Sequence, residues 1–202
     1  MLRKSIVVLG TFFAVLLSVC VQTMTAEEVL NKVVEKYDKI EGYRAEIHDV
    51  VIDGSKRIET DIYVAFKKPG KLRIEDPYTI TIVNSSKMLI YNKTSGERKV
   101  VEINVSIPDV YYGYFLNMLK DGNVSLAGEE EVAGKRCYVL TTEAGSKNVR
   151  IEKVWITRDW YIAKLQLRII MEMPNEARET TDIIKFRKLE FGKIDDSMFE
   201  VE

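Results

Sequence analysis

The chain has 202 residues, with 30 Lys plus Arg and 31 Asp plus Glu, which gives a formal net charge of −1. This balance argues against a nucleic-acid-binding protein, because such proteins normally carry a basic excess. One histidine, His48, and two cysteines, Cys20 and Cys137, exclude most metal sites, since a structural zinc ion needs four nitrogen or sulfur ligands. Abundant Lys and Glu with scarce Gln is typical of thermophile proteins.

The N-terminus begins with a basic stretch, residues 1–4, and continues with the uncharged residues 5–21. Three interpretations fit this pattern: a cleaved secretory signal, an uncleaved membrane anchor at the lower limit of spanning length, and lipidation of Cys20, because Leu17-Ser18-Val19-Cys20 is similar to a bacterial lipobox. All three predict a periplasmic or extracellular protein. We therefore divide the chain into a signal peptide or membrane anchor, 1–24, and one domain, 25–202.

Two further features bear on export. N-x-[ST] triplets predict glycosylation at Asn84, Asn92, Asn104 and Asn123. The alternative is that Asn and Ser cluster because both form turns. Cys137 lies in a strand pattern without a cysteine partner in the domain, so we predict a buried, unreactive thiol.

Two amphipathic helices are predicted. The first covers residues 26–40, where Thr25 and Glu28 have the spacing of a capping box. The second covers residues 108–120 and ends at Asp121-Gly122. Its predicted apolar face consists of Val110, Tyr111, Tyr114, Phe115, Met118 and Leu119.

The remaining chain alternates between apolar and polar residues and is broken by short turns. The predicted strands cover residues 43–52, 57–66, 72–75, 79–83, 87–91, 98–105, 124–132, 136–143, 149–157, 161–173 and 177–191. So many strands joined by short turns imply one large antiparallel sheet, and a sheet of this size curls. We therefore predict a mainly β (α+β) fold: an incomplete β-barrel plugged by the two helices.

Catalytic chemistry has no positive signal in the sequence. His48 shares a strand face with Arg44 and Glu46 and is predicted to be a surface residue or one whose hydrogen bonds are satisfied. The acidic run Glu129–Glu131 is predicted to form a solvated turn, and no glycine-rich phosphate loop exists. These patterns predict a non-enzyme without cofactor or metal.

Apolar surface is the remaining signal. Residues 110–119 are dense in aromatic side chains and form either core or a movable lid over an apolar groove. Met118, Met171 and Met173 would add adaptable lining to such a groove.

The chain resembles the LolA-like lipoprotein carriers, the outer-membrane lipoprotein-sorting family. The first half matches in a helix after the N-terminal segment, the strand 43–47, the hairpin into 62–69, and residues 70–73 and 82–92. The second half matches in residues 128–140, 154–157 and 194–199. The order and spacing of these pieces carry the resemblance over nearly the whole domain.

This resemblance implies an unclosed antiparallel barrel with a helical lid that shields acyl chains from water, so the implied partners are a lipid or acylated lipoprotein and a membrane surface. The implied lining comprises Val33, Tyr37, Ile62, Val64, Phe66, Ile82, Ile90, Tyr111, Phe115 and Met118. The family has an arginine that holds the lid shut, and Lys68 occupies its place. A Lys side chain lacks the planar, forked donors of Arg. This chain therefore departs from the family at the residue that would hold the lid shut.

Three hypotheses therefore stand. The first is an exported, monomeric, non-catalytic protein that holds acyl chains in an apolar cavity. The second is a membrane-tethered sensor or interaction module without cargo on the same fold. The third, an enzyme, requires a polar cluster inside the cavity.

Overall fold

The computed structural model describes residues 24–84, 86–103, 107–172 and 177–201. These residues contain two helices, α1 (Ala26–Asp38) and α2 (Tyr112–Lys120), and a short 3-10 turn at Asp196–Phe199. The strands are β1 (Gly42–Asp53), β2 (Lys56–Lys67), β3 (Lys71–Glu75), β4 (Thr79–Asn84), β5 (Lys87–Asn92), β6 (Arg98–Glu102), β7 (Val124–Val132), β8 (Lys135–Thr142), β9 (Val149–Thr157), β10 (Ile162–Glu172) and β11 (Ala177–Gly192).

All eleven strands belong to one antiparallel sheet with the order β6-β5-β4-β3-β2-β1-β11-β10-β9-β8-β7. The first and last strands of the domain therefore meet at its centre, where β1 pairs with both β2 and β11. Strands β6 and β7 form the two edges, so the sheet is not closed within the described residues. The predicted fold class, an incomplete barrel covered by two helices, is confirmed.

Helix α1 begins at the predicted capping box. The Thr25 hydroxyl accepts from the Glu28 backbone N–H at 3.2 Å, and the Glu28 carboxylate accepts from the Thr25 backbone N–H at 2.8 Å. These bonds satisfy donors that the first turn leaves free. Val29, Leu30 and Val33 then point into the core.

Helix α2 begins later than predicted, at Tyr112 rather than near Pro108, and buries a different face. Tyr112, Phe115, Leu116 and Leu119 are buried, while Val110 and Tyr114 are exposed. The predicted face was therefore partly wrong. The segment is apolar almost all round, so two helical phases satisfy the same pattern.

The register of β1 and β2 separates the two faces of the sheet. Tyr43 pairs with Phe66, Ala45 with Val64, and Ile47 with Ile62. These side chains share the face that α1 and α2 cover, which we call the inner face. A second, smaller core lies on the outer face, where the C-terminal residues Ile194 and Phe199 pack on Ala65, Ile82 and Leu89.

Three local predictions concern residues of β1, β7 and β8. Glu129–Glu131 lie within the edge strand β7, so the predicted turn was wrong. The carboxylate of Glu129 pairs with Arg136 and Arg158, and this ion pairing suits an exposed strand. Cys137 is buried as predicted, and burial raises the pKa of its thiol. His48 pairs with Asp61 through Nδ1 at 2.7 Å and with Glu59 through Nε2 at 3.3 Å.

Candidate functional site

Eight of the ten predicted lining residues come together between the helices and the inner face. Val33, Val64, Phe66 and Phe115 belong to the main core. Tyr37, Ile62, Tyr111 and Met118 are partly buried and pack against it. The pattern of alternation therefore identified the covered face of β2 correctly.

The other two lining residues lie on opposite faces of the β4–β5 hairpin. Ile82 pairs with Leu89 and packs in the outer core, so its predicted place on the inner face was wrong. Ile90 pairs with Thr81, which puts it on the inner face, but it lies outside the main core. The pairing of Asn84 with Lys87 fixes this register, and in that register residues 82 and 90 cannot share a face.

The space between the helices and the inner face is filled in this conformation. The side chains of Val29, Val33 and Leu119 are completely buried. A chain-like ligand can enter here only if α1 or α2 moves and a ligand surface replaces the helix surface. The contacts that hold these helices are therefore the important part of the site.

A buried carboxylate, Asp109, joins both helices to the sheet. Its Oδ2 accepts from the hydroxyl of Tyr37 in α1 at 2.9 Å and from the backbone N–H of Gly113 in α2 at 2.7 Å. Its Oδ1 accepts from the hydroxyl of Tyr43 in β1 at 2.7 Å and from the backbone N–H of Tyr111 at 3.0 Å. Four donors thus converge on one side chain, which we call the Asp109 hub.

The tyrosines continue this polar network through the core. The Tyr43 hydroxyl accepts from the Tyr112 backbone N–H at 3.2 Å, and the Tyr112 hydroxyl accepts from the Ile162 backbone N–H at 3.0 Å. Burial, followed by the nearby Asp109 charge, raises the pKa values of Tyr37 and Tyr43. Burial likewise raises the pKa of Tyr112. All three phenols therefore remain protonated, and those of Tyr37 and Tyr43 donate to Asp109.

Two further contacts hold α1 beside the hub. A Cβ atom added at Gly113 would overlap the Tyr37 hydroxyl and lie 2.9 Å from the Asp109 Cβ, so the two helices approach as closely as glycine allows. The Lys68 Nζ donates to the carbonyl oxygens of Tyr37 at 2.9 Å and Asp38 at 3.3 Å. Lys68 therefore contacts the C-terminal end of α1, where a cation is favourable.

The sequence-based analysis did not identify the Asp109 hub. Tyr37 and Tyr43 lie 72 and 66 residues from Asp109, so no local pattern links them. The available signal was a carboxylate just before an aromatic helix, where Asp commonly accepts from the first backbone N–H groups.

A second acidic site on the inner face, formed by Asp49 and Asp182, contrasts with the hub. The two residues are diagonal neighbours across β1 and β11, since Asp49 pairs with Ile184 and Val51 with Asp182. Each has a buried Oδ1 without a hydrogen-bond partner among the described residues. Burial, then the hydrogen bond and charge of Asp49, raise the pKa of Asp182 to about 8. We call these residues the acid pair.

Two grooves lie outside this packed region. One, of about 380 Å³, reaches Ile47 and Ile62, and its other walls include Asp61, Asp76 and Lys93. The other, of about 460 Å³, lies beside the C-terminal segment on the outer face and is lined in part by Ile82, Leu89 and Arg98. The misplaced Ile82 thus belongs to an outer groove.

Other predicted sites have these positions. Asn92 Oδ1 accepts from the Thr94 and Ser95 backbone N–H groups in the β5–β6 turn, and Asn123 is exposed. The Asn84 side chain donates to the Phe199 carbonyl at 3.3 Å. Cys20, Asn104 and Met173 lie outside the described residues. Within the described ranges, no group of three or more His, Cys, Asp or Glu side chains is arranged to hold a metal ion.

Membrane-spanning character was also tested for the described part of the chain. Neither of its helices combines the length and apolar character that crossing a bilayer requires. Residues 5–21 lie outside that part.

No protein-family model matches the sequence. An uncharacterized protein of Methanocaldococcus jannaschii is 27% identical over 166 residues, which cover 79% of this chain and 48% of that protein. The chain thus spans about half the length of this curated relative.

Solved structures similar to this chain include a LolA superfamily protein from Nitrosomonas europaea, with 10% identity, coverage of 89% of this chain and 99% of that one, and a TM-score of 0.40. They also include the Mycobacterium tuberculosis lipoprotein LppX, with 11% identity, coverage of 85% and 98%, and a TM-score of 0.48. A chain of the Pseudomonas aeruginosa MucA/MucB complex has 13% identity, coverage of 87% and 60%, and a TM-score of 0.41.

Proposed function

We propose that this protein is an exported, non-catalytic binding protein that holds the acyl chains of a lipid or lipoprotein against the inner face. The observation that carries the proposal is the way the helices are attached. Among the described residues, their contacts with the sheet are apolar except at the Asp109 hub, the Tyr112 hydroxyl and peripheral cations such as Lys68. An acyl chain can replace the apolar contacts, and the polar groups that lose partners are confined to these few places.

The energetics of such an exchange are favourable for a long chain. Each buried methylene contributes about 0.8 kcal/mol. Micromolar binding corresponds to about 8 kcal/mol, so roughly ten buried methylenes supply it before the cost of moving the helices is subtracted. That cost is lowered because the displaced helix surface exchanges one apolar partner for another.

The complete burial of Val29, Val33 and Leu119 favours a second candidate function. A tethered sensor or interaction module needs no internal space, and these three side chains have no accessible surface between the helices and the sheet. In that case the helices are permanent core, and the protein acts through its surface or its N-terminal segment.

Photolabelling with a fatty acid that carries a diazirine near its methyl end separates the two functions. The delipidated full-length protein is irradiated with the probe, and the labelled residues are identified by mass spectrometry. The carrier function predicts labels on Ile62, Val64, Tyr111, Phe115 or Met118.

The outer groove provides the internal control. Labels confined to Ile80, Ile82 or Leu89, or labelling no greater than with a diazirine lacking the acyl chain, contradict the proposal. Native mass spectrometry of protein from its own membrane or medium adds a second measurement. A bound lipid supports the carrier, whereas a retained N-terminal segment without lipid supports the tethered module.

A further inference from the structure

A cluster of cationic and aromatic side chains surrounds the β9–β10 turn next to α1. We call it the rim, and it comprises Lys36, Lys135, Arg158, Trp160 and Tyr161. The Nζ atoms of Lys36 and Lys135 lie 5.5 and 5.1 Å from the centre of the Tyr161 ring. Both distances are within cation–π range, so two ammonium groups share one half-buried ring.

The backbone at the tip of the rim is strained. Trp160 has a φ of 61°, which is unusual for a bulky side chain. The turn is closed by a hydrogen bond from the Trp160 N–H to the Thr157 carbonyl at 3.0 Å, and the indole stacks on Tyr138 with 6.0 Å between ring centres. Strain of this kind persists where the surroundings hold a side chain in one position. Here they hold a half-buried indole that also packs against the main core.

Two cations of the rim have no carboxylate partner among the described residues. Glu129 pairs with Arg136 and Arg158, and Glu131 stands opposite Arg136 in the β7–β8 pair. Lys36 and Lys135 form no ion pair there, and the Lys36 Nζ donates to the Asp159 carbonyl at 2.5 Å. Unpaired cations beside Trp and Tyr are typical of protein surfaces at the level of lipid headgroups.

The N-terminal chain enters the domain at this place. The Met24 Sδ lies 3.5 Å from the Tyr138 hydroxyl, and Tyr138 stacks on Trp160 and contacts the Arg158 guanidinium at 3.9 Å from its ring centre. The uncharged residues 5–21 end three positions before Met24. The predicted signal peptide or membrane anchor would therefore bring a bilayer close to the rim.

We propose that the rim is a membrane-facing surface that rests on a bilayer with anionic headgroups. The indole of Trp160 and the ring of Tyr161 lie at the headgroup level, and the Lys and Arg side chains contact phosphate groups. This inference does not depend on an acyl chain entering the inner face.

Depth-dependent fluorescence quenching tests the proposal on the full-length protein. Trp155→Phe leaves Trp160 as the sole tryptophan. The variant is mixed with vesicles of phosphatidylglycerol and phosphatidylcholine, with and without brominated acyl chains. We expect brominated lipid to reduce Trp160 emission, because bromine quenches indoles that lie within a few ångströms.

The matched control places a tryptophan in an exposed turn away from the rim. Tyr78 is 67% exposed in the β3–β4 turn, and the β2–β3 register puts that turn away from the end shared by Gly42 and Lys67. Tyr78→Trp in a Trp155→Phe/Trp160→Phe background should not lose emission. Equal or stronger quenching at position 78, or no vesicle binding, overturns the proposal.

A charge variant completes the test. Lys36→Glu/Lys135→Glu in the Trp155→Phe background should reduce quenching of Trp160 on anionic vesicles. Quenching that is unchanged by this variant, with a wild-type circular dichroism spectrum, contradicts a role for the rim cations.

Discussion

Asp109 and the acid pair are two acidic sites on the inner side of one sheet. They differ in how many hydrogen-bond donors their carboxylates accept from. Asp109 accepts four hydrogen bonds from two helices and a strand. Asp49 and Asp182 each retain a buried oxygen without a donor among the described residues. A buried carboxylate with a full set of donors joins elements, whereas one without donors keeps its proton and weakens the packing around it. The hub therefore joins the helices to the sheet. We expect the packing around the acid pair to be less stable.

The largest expected effect comes from removing the hub. Asp109→Ala leaves two tyrosine hydroxyls and two backbone N–H groups without their acceptor, and we expect the free energy of unfolding to fall by about 3–5 kcal/mol. Urea denaturation followed by circular dichroism measures the change. Asp159→Ala, which removes an exposed carboxylate, is the matched control. A loss below about 1 kcal/mol would show that the hub does not hold the helices.

The acid pair should make the protein less stable as the pH rises. Because the pKa of Asp182 rises from 3.8 to about 8 in the folded state, the folded protein keeps a proton that the unfolded chain loses. The free energy of unfolding therefore decreases as pH rises from about 4 to about 8, with a limiting slope of about 1.4 kcal/mol per pH unit. The lowered pKa values of Asp76 and Asp196 affect stability below this window.

The variant Asp182→Asn removes the titration and should make stability nearly independent of pH in that window, with greater stability than wild type at pH 8. Asp49→Asn should weaken the pH dependence without removing it, because it takes away the charge that adds to burial in raising the pKa of Asp182. Thermal unfolding at several pH values between 5 and 8.5 measures both. A wild-type stability that rises over this range would contradict the assignment.

The sequence predicts the fold better than it predicts either acidic site. Strand alternation and turn residues located the eleven strands because each signal is local, as the pairing of Tyr43 with Phe66 and Val64 with Ala45 shows. Helix α2 was assigned the wrong face because its residues are apolar in more than one helical phase.

The candidate site depends on contacts that no local pattern contains. Asp109 meets Tyr37 and Tyr43 only after both helices pack, and Asp49 meets Asp182 only because β1 pairs with the last strand. Ile82 shows the same limit on a smaller scale. Its face is set by its pairing with Leu89, and a shift of one residue moves a side chain to the opposite face.

A smaller effect is expected at the contact between the helices. Gly113→Ala introduces a Cβ against the Tyr37 hydroxyl and the Asp109 Cβ, which separates α1 from the hub. Overpacking of this kind costs about 1–3 kcal/mol, and alanine offsets up to about 1 kcal/mol by favouring the helix. Urea denaturation measures the expected net loss in the free energy of unfolding. We also expect the variant to bind a fluorescent fatty acid more strongly. Tyr114→Ala on the exposed face of α2 controls for changes in the helix itself. Unchanged fatty-acid binding would show that separating the helices does not expose the inner face.

The smallest effect is expected at Lys68, which acts beside the hub and outside its hydrogen bonds. Lys68→Met keeps most of the aliphatic length but removes the donor to the Tyr37 and Asp38 carbonyl oxygens, so we expect a loss of about 0.5–1 kcal/mol in unfolding free energy. Because the Asp109 hub remains intact, fatty-acid binding should change less than in Gly113→Ala. Lys68→Arg should restore stability, since Arg retains the charge at the end of α1. If Lys68→Met destabilised the protein as much as Asp109→Ala, the single cation would hold the helices as firmly as the four-donor carboxylate, and the contrast between the hub and its surroundings would be wrong.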